Sequence, residues 1–101
     1  MSLAHRDALL KMLARISFRL GEFKLSSGAS SDYYIDCRTT TLHAEGARLT
    51  GVAILELVHK HHLDPHAAGG LTLGADPVVS AVAIAASLRS STYPDERRAR
   101  K

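Results

Sequence analysis

Two stretches of this 101-residue sequence combine residue types and spacing that could do chemistry, and a histidine group invites comparison with them. The first stretch is Gly70-Leu71-Thr72-Leu73-Gly74-Ala75-Asp76-Pro77. A loop between the carboxyl end of a strand and the amino end of a helix exposes backbone N–H groups, and the helix dipole adds partial positive charge there. Phosphate and pyrophosphate favour such a site, and glycine lets a ligand approach the backbone closely. The stretch is neither a Walker A sequence, since no Gly-Lys-Ser/Thr follows, nor a GxGxxG fingerprint. Its plain alternative is an ordinary strand-to-helix turn, and the loop alone does not separate the two.

The second stretch, residues 23–36, gathers hydroxyls around Tyr33 and Tyr34. A flat heteroaromatic ligand could stack on a tyrosine while hydroxyls and backbone groups bond its edge. The competing reading is a hairpin whose tyrosines pack on the first helix. His59, His61, His62 and His66 cluster near a helix end, and His59 and His62 share a helical face. No cysteine or carboxylate completes a metal set there, although Asp64 is near, and the helix dipole explains the cluster more plainly. No metal ligand is assigned. Cys37 ends a strand, where a small soft residue commonly packs, and a nucleophile would need a base beside it. Asp32 and Asp36 fall on one strand face, with Asp36 expected to bond Arg38 or a loop. No catalytic residue is assigned.

The elements that must position these residues follow from periodicity. Leu9, Leu10, Leu13, Ile16 and Leu20 recur at helical spacing, which predicts an amphipathic helix over residues 5–19 ending near Gly21. Residues 23–26 and 33–37 read as two antiparallel strands joined by a Ser/Gly-rich loop. A second helix is expected over 44–61, then a short buried strand beginning at Ala67. Asp76 is expected to cap a third, small-residue helix over 78–88, with Pro77 at its first position. Residues 90–101 change character, becoming charged where a parallel strand is needed.

Composition excludes more than it selects. The chain is 46% hydrophobic and 23% charged, ordinary for a globular protein, and its length allows one domain at most. No apolar run approaches the ~20 residues of a membrane span. The start lacks a secretory or transit layout, and Cys37 alone rules out a disulfide framework. A cytoplasmic protein is expected. The net charge of +3 is exceeded by the positive residues Arg97, Arg98, Arg100 and Lys101 alone. A basic face for nucleic acid is therefore not expected, nor is a membrane partner.

Gly21-Glu22-Phe23-Lys24-Leu25-Ser26-Ser27-Gly28, then Ser31-Asp32-Tyr33-Tyr34-Ile35-Asp36-Cys37-Arg38, then Gly69 through Pro77, stand in the order and spacing of orotate phosphoribosyltransferase, which this chain resembles over residues 15–87. That span is around half of a typical member. The resemblance implies an α/β, type I phosphoribosyltransferase fold: an N-terminal hood hairpin plus the first strand-loop-helix of the parallel core sheet, here incomplete. Residues 1–89 would form this partial domain and 90–101 a divergent charged tail.

The same resemblance implies transfer of a 5-phosphoribosyl group from 5-phosphoribosyl-1-diphosphate (PRPP) to orotate. The products would be orotidine 5′-monophosphate and pyrophosphate, in de novo pyrimidine biosynthesis, with Mg²⁺ bound alongside PRPP and a homodimeric assembly. Tyr34 and Ile35 match the orotate-contacting position, and Thr72, Leu73, Gly74 and Ala75 match the loop that receives pyrophosphate. Many members carry a lysine where this chain has Ser26; Lys24, two residues earlier on the same strand face, is expected to substitute in part. Arg100 and Lys101 fall where the family's catalytic loop begins, behind a charged run where a core strand belongs. The chain alone is expected to be inactive and prone to association through its apolar third helix. The alternative is a non-catalytic remnant or interaction module of that family.

Overall fold

A computed structural model describes residues 3–89. Its elements run α1 (Ala4–Met12), a π-helical turn (Leu13–Ser17), β1 (Phe18–Lys24), β2 (Ser30–Ile35), α2 (Arg38–Thr41), α3 (Ala44–Lys60) and α4 (Asp76–Arg89). The residues numbered 90–101 lie outside this description, and with them the expected charged tail.

The first helix stops earlier than its leucine spacing predicts. Phe18 already has extended backbone, φ −98° and ψ 133°. From there β1 pairs antiparallel with β2, Phe18 opposite Ile35, Arg19 opposite Tyr34 and Leu20 opposite Tyr33. Leu20 continues the helical spacing, yet it is 79% exposed on a strand. Cross-strand pairing with a β-rich partner outweighs local periodicity here. The register then slips between Leu20 and Phe23. Gly21, at φ +153°, takes up that irregularity with a backbone angle that a side chain would resist.

Helix α3 has both ends specified by its own sequence. His43 precedes it in extended conformation, and its Nδ1 accepts from Glu45 N–H at 3.2 Å and Gly46 N–H at 3.3 Å. At the other end His62 adopts φ 57°. Its N–H donates to His59 C=O and that of Leu63 to Val58 C=O, the paired bonds of a Schellman ending. The terminal histidines therefore close a helix, and His59, His61, His62 and His66 are all exposed.

Helices α1 and α4 both pack on α3, and small residues set how closely. A side chain at Gly46 would meet the Thr40 carbonyl and the Met12 sulfur; one at Gly51 would meet the Ala81 carbonyl and Ala85. Met12, Leu49 and Leu55 are the buried large apolar side chains among the described residues. The core is correspondingly small. It lies along α3, and the hairpin projects from it.

The short strand expected from Ala67 is not formed: residues 67–70 have no regular secondary structure and are exposed. A parallel strand exists only beside a neighbour, and among the described residues the sheet is two-stranded, β1 with β2. Helix α4 starts at Asp76 rather than after it, with Val79 N–H donating to Ala75 C=O at 2.9 Å. Pro77 becomes the second helical residue, still in the first turn, where a missing N–H costs no intrahelical bond. The α/β class stands on the hairpin and the helices, while the expected first strand of a parallel core sheet is not formed among the described residues.

Candidate functional site

The hairpin holds one group of predicted residues. Lys24 closes β1 opposite Ser30. Ser26 follows in the turn, which is fixed by Leu25 N–H donating to Ala29 C=O at 2.8 Å and Gly28 N–H to Leu25 C=O at 2.9 Å. Gly28 sits at φ +90°, the conformation that demands glycine. Glu22, Phe23, Lys24, Ser30, Ser31 and Asp32 line an open cavity of ≈ 530 Å³. Among these, Ser30 and Ser31 belong to the hydroxyls that the sequence offered to a ligand's edge, while Glu22 carried no site signal of its own.

Tyr34 and Ile35 stand at the far end of β2, 42% and 50% exposed. Each tyrosine meets a β1 ring. Phe18 and Tyr33 stack with centroids 5.9 Å apart, and Phe23 meets Tyr34 at 5.6 Å. Both tyrosines thus keep an open side while being held by a neighbour.

Just beyond β2, Asp36 accepts from Arg38 Nε at 3.0 Å, from its Nη2 at 3.2 Å and from its backbone N–H at 3.2 Å. The side-chain bond from Arg38, then the backbone bond, hold the Asp36 carboxyl below the usual aspartate range. Asp36 is therefore committed to Arg38, as the sequence suggested. Cys37 is exposed and forms the N-cap of α2, which corrects its expected packing at a strand end.

The second group of predicted residues forms the turn before α4. Ala75 N–H donates to Leu71 C=O at 3.1 Å and Asp76 N–H to Leu73 C=O at 3.3 Å. The Thr72–Leu73 peptide bond is cis. Thr72, Leu73 and Gly74 are exposed, Ala75 half-buried. Among the described residues nothing accepts from the N–H groups of Thr72, Leu73 and Gly74. Three consecutive unspent donors ahead of a 14-residue helix make a surface for anionic oxygens. Asp76 brings a negative charge to the same helix end, so the loop donors must outweigh it.

The two groups rest on different supports. The hairpin packs on the π-helical turn, whereas α4 packs on α3; α2 touches the π-helical turn, α3 and α4, and so bridges them. Arg100 and Lys101 lie outside the described residues. No group of three or more His, Cys, Asp or Glu among the described residues converges on a common metal position.

Comparison with known proteins gives one consistent answer. The orotate phosphoribosyltransferase of Thermosynechococcus vestitus is 47% identical over 83 residues, covering 82% of this chain and 42% of that protein. That of Aquifex aeolicus is 39% identical over 94 residues, 90% of this chain and 50% of its own length. Among solved structures, Mycobacterium tuberculosis orotate phosphoribosyltransferase in complex with Fe(III) dicitrate superposes with a TM-score of 0.71 at 42% identity, over 77% of this chain and 45% of that one. The same enzyme in complex with PRPP gives 0.65 at 40% identity, over 77% and 44%. No protein-family model matches. The chain spans about half the length of the curated relatives it matches.

Proposed function

On the premise that this chain is a relative of the orotate phosphoribosyltransferases across about half their length, we propose that it carries their orotate-side hairpin and pyrophosphate loop. The reaction is transfer of the 5-phosphoribosyl group of PRPP to orotate, giving orotidine 5′-monophosphate and pyrophosphate in pyrimidine biosynthesis. The observation that supports this most directly is the run of unspent N–H donors at Thr72, Leu73 and Gly74 within a segment matched by the relatives.

The chemistry follows from charge. As the glycosidic bond to pyrophosphate loosens, negative charge builds on the leaving oxygens and positive charge on the ribose. Fixed backbone donors stabilise the first without reorganising. Lys24 at the end of β1 supplies a cation and Ser26 in the turn a hydroxyl on the hairpin. Tyr34 offers a ring face to the planar base, and Ile35 an apolar wall. Magnesium favours oxygen ligands and often arrives on phosphates. The donor's own phosphate oxygens are its expected ligands, and among the described residues no acids converge on a metal position. A homodimer in the cytoplasm is the expected setting, and Arg100 and Lys101 are assigned to the donor side.

The 101 residues by themselves are expected to bind rather than turn over. Calorimetric titration should detect orotate and pyrophosphate binding separately, the first lost in Tyr34→Ala. Absence of both would reject the reading, and turnover of orotate and PRPP at an ordinary enzymatic rate would reject the claim of inactivity.

A further inference from the structure

We propose that Ser17, Thr39 and Thr40 form a positioning joint that fixes the orientation of the β1–β2 hairpin, and with it Tyr34 and Ile35, relative to the α3–α4 body. The link to base positioning rests on the reading of the hairpin as the orotate side. Ser17 immediately precedes β1, and Asp36 immediately follows β2. Ser17 Oγ lies 2.7 Å from Thr39 Oγ1 and 2.6 Å from Thr40 Oγ1. Ser17 is 2% exposed and Thr40 0%. Thr39 Oγ1 in turn reaches the carbonyls of Ile16 at 2.9 Å and Asp36 at 2.8 Å. Asp36 N–H donates to Ser17 C=O at 3.0 Å. Both feet of the hairpin are thereby tied to α2.

Proton bookkeeping orders this cluster. A hydroxyl has one proton to give. The proton of Thr39 goes to a carbonyl, so its contact with Ser17 requires the Ser17 proton. Ser17 then has none left for Thr40, so Thr40 must donate to Ser17. The chain runs Thr40 to Ser17 to Thr39 to the backbone, each hydroxyl donating once. Helix α2 meanwhile packs on α3 and α4, with Gly46 of α3 against the Thr40 carbonyl. The ordered chain therefore sits where the hairpin meets the body. An apolar cluster of the same shape could match its stability but would carry no direction.

The test uses the full 101-residue chain with Cys37→Ser, spin labels at Ser27→Cys and Lys60→Cys, dilution in unlabelled chain to silence distances between copies, and a distance distribution as readout. The unmodified joint should give one narrow distribution, and Thr40→Ser, which keeps the hydroxyl, should preserve it. Thr40→Val should broaden it and weaken orotate binding about fivefold, the equivalent of one net hydrogen bond, with pyrophosphate binding unchanged. If Thr40→Val does not fold, Thr39→Val at the exposed end of the chain should broaden the distribution instead. An unchanged distribution in a folded valine variant would overturn the proposal, as would Thr40→Ser broadening as much as Thr40→Val. Expected distances without any orotate binding by the unmodified chain would retain the joint and reject the orotate reading.

Discussion

The ring of Phe23 lies 5.6 Å from that of Tyr34, tilted by 33°, and covers the backbone of Gly21, where a Cβ would come within 3.3 Å of Phe23 Cε2. One glycine thus makes room for the ring that steadies the proposed base platform. Phe23→Ala should weaken orotate binding by the worth of an aromatic pair, about 0.5–1.5 kcal/mol, with the helical content by circular dichroism unchanged. Retained affinity in that variant would detach Phe23 from the platform.

Gly74 and Gly70 separate ligand from fold. A side chain at Gly74 meets nothing within 4 Å, whereas one at Gly70 would come to 2.7 Å of the Ala75 Cβ. Gly74→Ala should leave the melting temperature unchanged and weaken pyrophosphate binding, because only a ligand resting on the backbone feels the added methyl. Gly70→Ala should lower the melting temperature as well. Equal pyrophosphate affinity in Gly74→Ala and the parent would remove the loop from the site.

At the α3–α4 crossing two effects compete in Gly51→Ala. Helix propensity favours alanine by about 1 kcal/mol. The new methyl meets the Ala81 carbonyl, part of a neighbouring backbone that cannot rotate away, and overpacking costs about 1–3 kcal/mol. The collision should win. Chemical denaturation should show net destabilisation, and a gain in stability would mean that the crossing opens without cost.

The acid limb of stability has a defined sign. Hydrogen bonds from Arg38 depress the Asp36 carboxyl, and those from Arg48 depress Glu45. A carboxyl depressed in the folded chain stabilises it above its unfolded value, and that contribution disappears as pH falls through the lower folded value. Both pairs are solvated, so the effect should be small and should fade with added salt. Carbon-detected titration should find the Asp36 midpoint below the ordinary aspartate range, and Arg38→Gln should return it. An ordinary midpoint in the parent chain would contradict the pairing.

The outward side of α4 exposes Ile84 at 59% and Leu88 at 80%, and the preceding turn exposes Leu71 at 89% and Leu73 at 78%. The isolated chain should self-associate through this apolar surface. Sedimentation should show oligomers that Ile84→Glu and Leu88→Glu shift towards monomer. A parent chain that sediments as a monomer and melts cooperatively would count against it.

What the sequence revealed was local. The β-forming run at Tyr33-Tyr34-Ile35, the Asp36–Arg38 neighbour pair and the start of α3 after His43 all depend on residues within a few positions. Leu20 misled because its helical spacing competes with pairing to Tyr33, thirteen residues away. The expected strand from Ala67 failed for the same reason in reverse, its chemistry being apt but its partner absent from the described residues. Ser17 meeting Thr39 and Thr40 depends on a return of the chain across 22 and 23 positions, which no local pattern announces.

The passage from π-helical turn to strand at Ser17 and Phe18 involves no loop. Residues 61–70, by contrast, are exposed throughout. The two connections should differ in how much length change they tolerate. One residue added or removed between Met12 and Phe18 would displace Ser17 from Thr39 and Thr40 and turn the hairpin relative to α3, its own register staying fixed by its turn. The same change between Leu63 and Gly69 would be absorbed by solvated backbone. Natural variation in length among such chains should therefore accumulate after α3 and be nearly absent before the hairpin.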